Sequence, residues 1–89
     1  MSFEFNRQKS QSNKLKHGID FTEAQALWAD PNSIIVPVMT DPESRWIVVG
    51  LVLNISWTAV ITFRGNSVRI ISCRRSRKKE IVAYEKQKK

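Results

Sequence analysis

The stretch Arg69-Ile-Ile-Ser-Cys-Arg-Arg-Ser-Arg-Lys-Lys-Glu-Ile-Val-Ala-Tyr84 decides the organisation of this chain. Its first half is an apolar run that is typical of a strand ending near Arg75. Its second half places Glu80 and Tyr84 four residues apart, the spacing of one helix face, and Ser76 is predicted to cap that helix. A dense group of cations therefore lies where the strand meets the helix, and this junction is our first candidate for a working surface.

Alternation along this strand predicts which side chains share a face of the sheet. One face receives Val68, Ile70, Ser72 and Arg74, and the other receives Arg69, Ile71, Cys73 and Arg75. Arg74 and Arg75 then lie on opposite faces, so only one of them lines a site on either face. The sequence leaves open which arginine that is.

Size and composition favour one small domain over residues 1–89. Of the 89 residues, 42% are hydrophobic, which is enough for one modest core. The N-terminal residues lack the layout of a signal peptide, and the longest apolar stretch, Trp46 to Ile55, is far shorter than the roughly 20 residues that cross a bilayer. The single cysteine, Cys73, excludes an internal disulfide. We therefore expect a cytoplasmic protein without a membrane partner.

Positive charge is concentrated at the C-terminal end. The formal net charge is +7, from 15 Lys and Arg against 8 Asp and Glu. Residues 74–89 contain eight of these cations and two of the acids, a net charge of +6, which leaves +1 for the preceding 73 residues. Such asymmetry indicates a polyanionic or acidic protein partner. The simpler interpretation is a solvated helix and tail, which we favour for the last few lysines.

The remaining sequence predicts helices first and strands afterwards. Asn6 can cap a largely polar helix over residues 7–16, which ends at Gly18. Thr22, three residues before a glutamine, has the spacing of a capping box for a second helix, which stops before Pro31. The short connection between the two makes them a helical hairpin.

Strand patterns follow from residue 33 onward. The predicted strands are 34–38, 45–53, 57–63 and 67–75, joined by turn residues at 41–44, 54–56 and 64–66. Connections this short favour antiparallel neighbours, because parallel strands need long crossovers. Together with an alternating segment at 3–5, the pattern predicts an α+β fold: a short N-terminal strand, a two-helix hairpin, a four-stranded antiparallel sheet and a C-terminal helix.

Seven pieces of sequence keep an order and a spacing that cover nearly the whole chain. They are Asn13-Lys-Leu-Lys-His-Gly-Ile-Asp-Phe-Thr-Glu-Ala, Ala29-Asp-Pro31, Arg45-Trp-Ile-Val-Val-Gly50, Arg64, Arg69-Ile-Ile-Ser-Cys-Arg-Arg-Ser, Glu80 and Tyr84. Together they resemble the BrnT toxin family, although no single piece is specific. The resemblance implies a RelE-like fold and a ribonuclease toxin that blocks translation by cutting RNA. It also implies a BrnA-like antitoxin protein as partner, with operator DNA bound only through the toxin–antitoxin complex.

Metal-independent RNA cleavage needs a group that accepts the 2′-hydroxyl proton, cations that stabilise the phosphorane, and an acid for the leaving oxygen. Arginine suits the second role because its fork of donors matches phosphate oxygens. The catalytic candidates are His17, Arg64, Arg74, Arg75, Glu80 and Tyr84, and the candidates for binding RNA phosphates are Lys16, Arg69, Arg77, Lys78 and Lys79. No metal-ligand spacing or phosphate-cradling glycine loop is present, so we expect no cofactor and no metal.

Each candidate also has a structural interpretation. His17 can be a packing residue at a helix end, Glu80 an ion-pair partner of an arginine, and Tyr84 a half-buried anchor. The arginines can be solvated or ion-paired. At the level of function, the alternatives are a non-catalytic nucleic-acid-binding or co-repressor subunit, and a decayed toxin that only binds an acidic antitoxin.

Overall fold

The computed structural model describes residues 1–40 and 43–88, which form an α+β fold of five strands and three helices. This confirms the predicted class. The elements in order are β1 (Ser2–Glu4), α1 (Arg7–His17), a 3₁₀ helix (Glu23–Ala29), β2 (Ile34–Met39), β3 (Arg45–Val52), β4 (Ile55–Arg64), β5 (Ser67–Arg75) and α2 (Lys78–Gln87). No helix among the described residues is long and apolar enough to span a bilayer.

The strands form one mixed sheet in the order β1-β5-β4-β3-β2. Strands β2 to β5 make the predicted antiparallel meander. The prediction of a four-stranded antiparallel sheet is therefore matched only in part, because β1 joins as a fifth strand, parallel to β5, with Ser2 opposite Ser67. A strand of three residues carries too little pattern to specify a partner more than 60 positions away.

The turns decide where the strands of the meander begin. Leu53 and Asn54 form a two-residue hairpin turn with φ angles of 52° and 66°, the left-handed region that such tight turns require. Strand β4 therefore begins at Ile55, and the predicted turn at 54–56 is displaced by one residue. The predicted turn at Gly65 is present, with φ of 56°. Asp41 and Pro42 of the predicted turn at 41–44, and Lys89 of the tail, are outside the described residues.

Helix α1 is attached to the sheet by polar groups. Asn6 caps it as predicted, accepting a hydrogen bond of 3.0 Å from the Lys9 amide, and Gly18 ends it in the left-handed region with φ of 88°. The buried Asn13 amide donates to the Cys73 carbonyl at 2.7 Å and accepts from the Cys73 N–H at 3.3 Å. Beyond the end of β1, β5 has no neighbouring strand on this side, and the Asn13 amide makes the backbone hydrogen bonds that such a strand would make.

The second predicted helix is a 3₁₀ helix, and its cap differs from the prediction. Asp20 Oδ1 accepts from the Glu23 amide at 2.7 Å, and Glu23 Oε1 accepts from the Asp20 amide at 2.9 Å. The predicted cap at Thr22 is wrong, since its side chain makes no capping bond. Aspartate is at least as good a cap as threonine, and Asp20 has a carboxylate at the same three-residue spacing.

One face of the sheet holds the hydrophobic core. Helix α1 and the 3₁₀ helix pack there. The buried cluster comprises Ile19, Phe21, Ala24, Leu27, Val48, Trp57, Ala59, Ile61, Val68, Ile70 and Cys73. Helix α2 lies across the opposite face.

A bulge in β5 changes which residues share these faces. Ile70 lies opposite Ile61 but Ser72 lies opposite Val60, so Ile71 is an extra residue. The bulge moves Cys73 to the core face with Val68 and Ile70, and places Ser72 and Arg74 on the face of α2. The predicted grouping of Ser72 and Arg74 with Val68 and Ile70 is therefore wrong. Arg74 and Arg75 do lie on opposite faces, as predicted.

Candidate active site

The junction of β5 and α2 is built around an ion pair. Both terminal nitrogens of Arg74 donate to the two carboxylate oxygens of Glu80, each at 2.8 Å. Glu80 also accepts from the Thr58 hydroxyl at 3.0 Å and from the Arg77 amide at 2.8 Å. The Arg74 hydrogen bonds, against the opposing effect of burial, lower the pKa of Glu80 to about 2. Glu80 is therefore ionised at neutral pH, and the charge of Arg74 is offset.

Ser76 is connected to this ion pair by hydrogen bonds through Thr58. It was predicted to cap α2, but the helix begins at Lys78 with Arg77 in the capping position, so that prediction is wrong. The Ser76 hydroxyl accepts from Ser56 at 2.8 Å and contacts the Thr58 hydroxyl at 2.8 Å. Because Thr58 donates to Glu80, Ser76 must donate to Thr58. Three hydroxyl groups thus donate in sequence toward the Glu80 carboxylate.

Four further cations surround the junction without an acidic partner among the described residues. Arg75, Arg77, Lys78 and Lys79 are exposed. The ion pairs found within residues 1–40 and 43–88 involve other cations. Arg75 stacks over Trp57, 5.7 Å from the ring centroid. The other three lie at the start of α2, where the helix dipole is positive, so this surface favours an anion.

Arg64 and Arg69 lie at the opposite end of the sheet. Arg64 Nε is 3.9 Å and Arg69 Nη1 is 3.8 Å from the Glu4 carboxylate. Arg69 and Arg74 are five positions apart on one strand, a separation of roughly 15 Å at the usual rise per residue. The structure therefore does not bring Arg64 and Arg69 to the junction, although the sequence placed them in one site.

His17 and Lys16 lie at the end of α1. The helix follows the direction of β5, since it starts after β1, which pairs with the beginning of β5, and Asn13 contacts Cys73. His17 is one helical turn beyond Asn13, which brings it toward the end of β5 on the face of Arg75. His17 is half-buried and Lys16 is exposed.

Tyr84 is part of a second joint, which fastens α2 to the sheet. Its ring is buried, with 1% exposed, and its hydroxyl donates to Asp30 Oδ2 at 2.8 Å. Burial, helped by the Asp30 hydrogen bond, raises the pKa of Tyr84 to about 12. Asp30 also accepts from the Leu51 and Asn32 amides at 2.8 and 2.9 Å. Although burial acts the other way, these amides hold the pKa of Asp30 below its ordinary value.

Sequence reasoning missed several polar residues that hold the helices to the sheet. Asp30 was recognised only as the end of a helix, and Thr58 and Asn13 were not singled out for any role. Asp30 depends in turn on Gly50, since a Cβ there would lie 3.1 Å from Asp30 Oδ2. The signal for Asp30 was its place among the pieces that resemble a known family. Asn13, whose partner is 60 positions away, begins another of those pieces. Thr58 binds a residue 22 positions away, which leaves no local pattern.

Comparison with protein families gives one match that spans most of the chain. A family model described as "Ribonuclease toxin, BrnT, of type II toxin-antitoxin system" matches residues 5–80 of the 89. The matched span contains every predicted site residue except Tyr84. No curated protein matches the chain. Among the described residues, no three His, Cys, Asp or Glu side chains are grouped as metal ligands would be.

Proposed function

Because the chain belongs to the BrnT family of ribonuclease toxins of type II toxin–antitoxin systems, we propose that it cuts RNA at the junction of β5 and α2 and thereby blocks translation. A toxin of this type has an RNA substrate and a protein antitoxin. The antitoxin proposed here is BrnA-like, and operator DNA is bound only through the toxin–antitoxin complex. Cleavage takes place in the cytoplasm and needs no metal ion.

The observation that carries the proposed site is the group of cations without acidic partners. Arg75, Arg77, Lys78 and Lys79 are exposed around one junction, and none is neutralised by a described carboxylate. Such a cluster fits the phosphates of an RNA strand. Arg75 is the best candidate for the reacting phosphate, since stacking on Trp57 orients its guanidinium. Arg64 and Arg69 would contact only a more distant part of the RNA.

Proton transfer at this site is best assigned to His17. Glu80, with a pKa of about 2, is too weak a base at neutral pH, and Tyr84, with a pKa of about 12, keeps its proton. Histidine is the side chain most often used as a general base, and His17 lies toward the same end of β5. In this mechanism His17 takes the 2′-hydroxyl proton and the 2′ oxygen bonds to phosphorus. The 5′ oxygen then leaves and takes up a proton from water.

Arg74 and Glu80 act as positioning residues in this proposal. Their bidentate pair fixes the start of α2, which carries Arg77, Lys78 and Lys79. The same pairing favours one alternative, a decayed toxin that binds its antitoxin without cutting RNA. Arg74, Glu80 and Tyr84 all make structural bonds, and a chain without catalysis would retain those bonds.

The test is to induce the chain alone in cells and to map new RNA 5′ ends. We expect growth arrest with new ends for the unaltered chain, and a loss of both for Arg75→Ala and for His17→Ala. Lys9→Ala is the matched control, because Lys9 is an exposed cation on α1 outside the junction. Purified chain should cut RNA equally well with and without EDTA.

Three outcomes would contradict the proposal. Growth arrest without new RNA 5′ ends would exclude a ribonuclease as the toxic activity. Unchanged cutting by both Arg75→Ala and His17→Ala would exclude the proposed site while leaving the activity itself in place. An absence of arrest and of cutting would favour the decayed toxin or the co-repressor subunit.

A further inference from the structure

An apolar groove remains open between β2 and α2. It has a volume of about 500 Å³, and its floor is formed by Ile34, Val36, Val38, Ile47, Val49 and Val60. A second hollow of about 450 Å³ continues it along Ile34, Val36 and Ala83 toward Lys86. Helix α2 therefore covers only part of its face of the sheet, although that face is lined with aliphatic side chains.

The strand beside this groove is exposed in an unusual way. Strand β2 is at the edge of the sheet, and Val36 and Val38 are 37% and 52% exposed. Proteins usually protect an edge strand with charges or a covering element, and a continuous exposed apolar surface marks an interaction site. Apart from Pro37, β2 carries only aliphatic and methionine side chains.

The wall opposite β2 is basic. Lys79, Ala83 and Lys86 are spaced by four and three residues, so they share one face of α2. Lys79 and Ala83 line the groove, and Ala83 and Lys86 line the hollow that continues it. Arg77 lines it as well. The one carboxylate lining it among the described residues is Glu80, which is already paired with Arg74.

This combination of walls fits one class of occupant. An RNA strand would find aliphatic side chains where bases need aromatic rings or hydrogen-bond partners. A second copy of the chain would bring the same basic rim and the same net charge of +7, which repel. A protein segment with apolar side chains on one side and carboxylates on the other matches both the floor and the rim.

We propose that the groove between β2 and α2 is the docking site for an acidic, amphipathic segment of the antitoxin. The inference rests on the proposed function, since it takes the partner to be an antitoxin. The segment's apolar side packs on Val36 and Val38, and its carboxylates face Lys79 and Lys86. Occupying this groove also places the segment beside Arg77, so binding obstructs the cationic junction.

The test measures binding of the purified protein encoded by the reading frame beside the toxin gene. Val36→Gln with Val38→Gln removes apolar floor without touching a proposed RNA contact, and we expect the Kd to rise about tenfold or more, as for a central interface contact. Lys79→Glu with Lys86→Glu should raise the Kd by a similar factor, and the effect should shrink at about 0.5 M salt because the rim is exposed. The matched controls are Leu15→Gln and Lys9→Glu on α1, which should bind like the unaltered chain.

The decisive readout is a toxin that cuts RNA and escapes neutralisation. The Val36→Gln, Val38→Gln chain should still produce new RNA 5′ ends, and co-expression of the antitoxin should no longer protect the cells. Equal Kd values for the groove variants and the α1 controls would overturn the inference, as would the absence of any complex with the unaltered chain. A chain that binds through the groove but never cuts RNA would overturn only the proposed ribonuclease activity.

Discussion

The two faces of the sheet are closed in different ways. The face under α1 and the 3₁₀ helix is filled with a continuous buried cluster that includes Leu27 and Ile61. The face under α2 is held at two polar joints, Arg74 with Glu80 and Tyr84 with Asp30, and stays open between β2 and α2. We therefore expect the first face to supply most of the stability of the domain, and the second to leave the cations of α2 and its apolar groove available to partners. Four predictions test this division.

The largest effect is expected in the core. Leu27 is fully buried, so Leu27→Ala should lower the free energy of unfolding by about 3 kcal/mol, the usual cost of a cavity in a packed core. Val38→Ala on the open face should cost less than about 1 kcal/mol because Val38 is 52% exposed. Urea unfolding monitored by Trp fluorescence measures both. Equal losses in the free energy of unfolding would show that the two faces contribute equally to stability.

The Arg74–Glu80 joint should make stability depend on acid pH. The pKa of Glu80 is lowered from 4.5 to about 2 on folding, so its contribution is complete above about pH 4.5 and is lost as the pH falls toward 2. The shift corresponds to at most about 3 kcal/mol. Unfolding measured between pH 7 and pH 2 should therefore show a steeper loss for the unaltered chain than for Glu80→Gln. Identical pH profiles for the two chains would exclude the Arg74–Glu80 ion pair as the source of the stability lost in acid.

The Asn13 side chain should contribute to the stability of the fold by binding α1 to β5. Asn13→Ala leaves the N–H and the carbonyl of Cys73 unpaired in a buried position, which should cost about 2 kcal/mol. Ser12→Ala, an exposed neighbour on the same helix, is the control and should be close to neutral. Hydrogen exchange of the Cys73 amide gives an independent readout, and it should accelerate in Asn13→Ala alone.

The smallest effect is expected at Tyr84. Tyr84→Phe removes the hydroxyl that donates to Asp30 but keeps the ring, so it should cost about 1 kcal/mol. If Tyr84 is an anchor, RNA cutting by the variant should match that of the unaltered chain at a temperature where both are folded. A selective loss of cutting would instead support the catalytic role predicted from the sequence.

Local features of this fold were predictable from the sequence, and distant pairings were not. The cap at Asn6, the end of α1 at Gly18 and the bounds of β5 each depend on neighbouring residues. The partner of β1 and the extra residue at Ile71 depend on segments far away in the chain, which leave no periodic signal. The cap at Asp20 was overlooked for a local reason, because Asp20 and Thr22 each have a suitable partner residue three positions later.

In the candidate site, too, the local features were predictable from the sequence and the distant ones were not. The separation of Arg74 and Arg75 onto two faces followed from strand alternation and holds in the structure. Glu80, the partner of Arg74, is only six residues away, and an ion pair with an arginine was among its predicted structural roles. The distance of Arg64 and Arg69 from the junction depends instead on how all the strands of the sheet pair. Which of the predicted residues act in catalysis stays a prediction.

The bulge at Ile71 determines which arginine is free to meet RNA. Beyond it, Arg74 turns toward Glu80 and is neutralised, and Arg75 turns toward Trp57 and keeps its charge. If all nine residues of β5 paired regularly, without the bulge, the two arginines would exchange faces. The charge that this surface presents is set by how β5 pairs with β4 as much as by the composition of the strand.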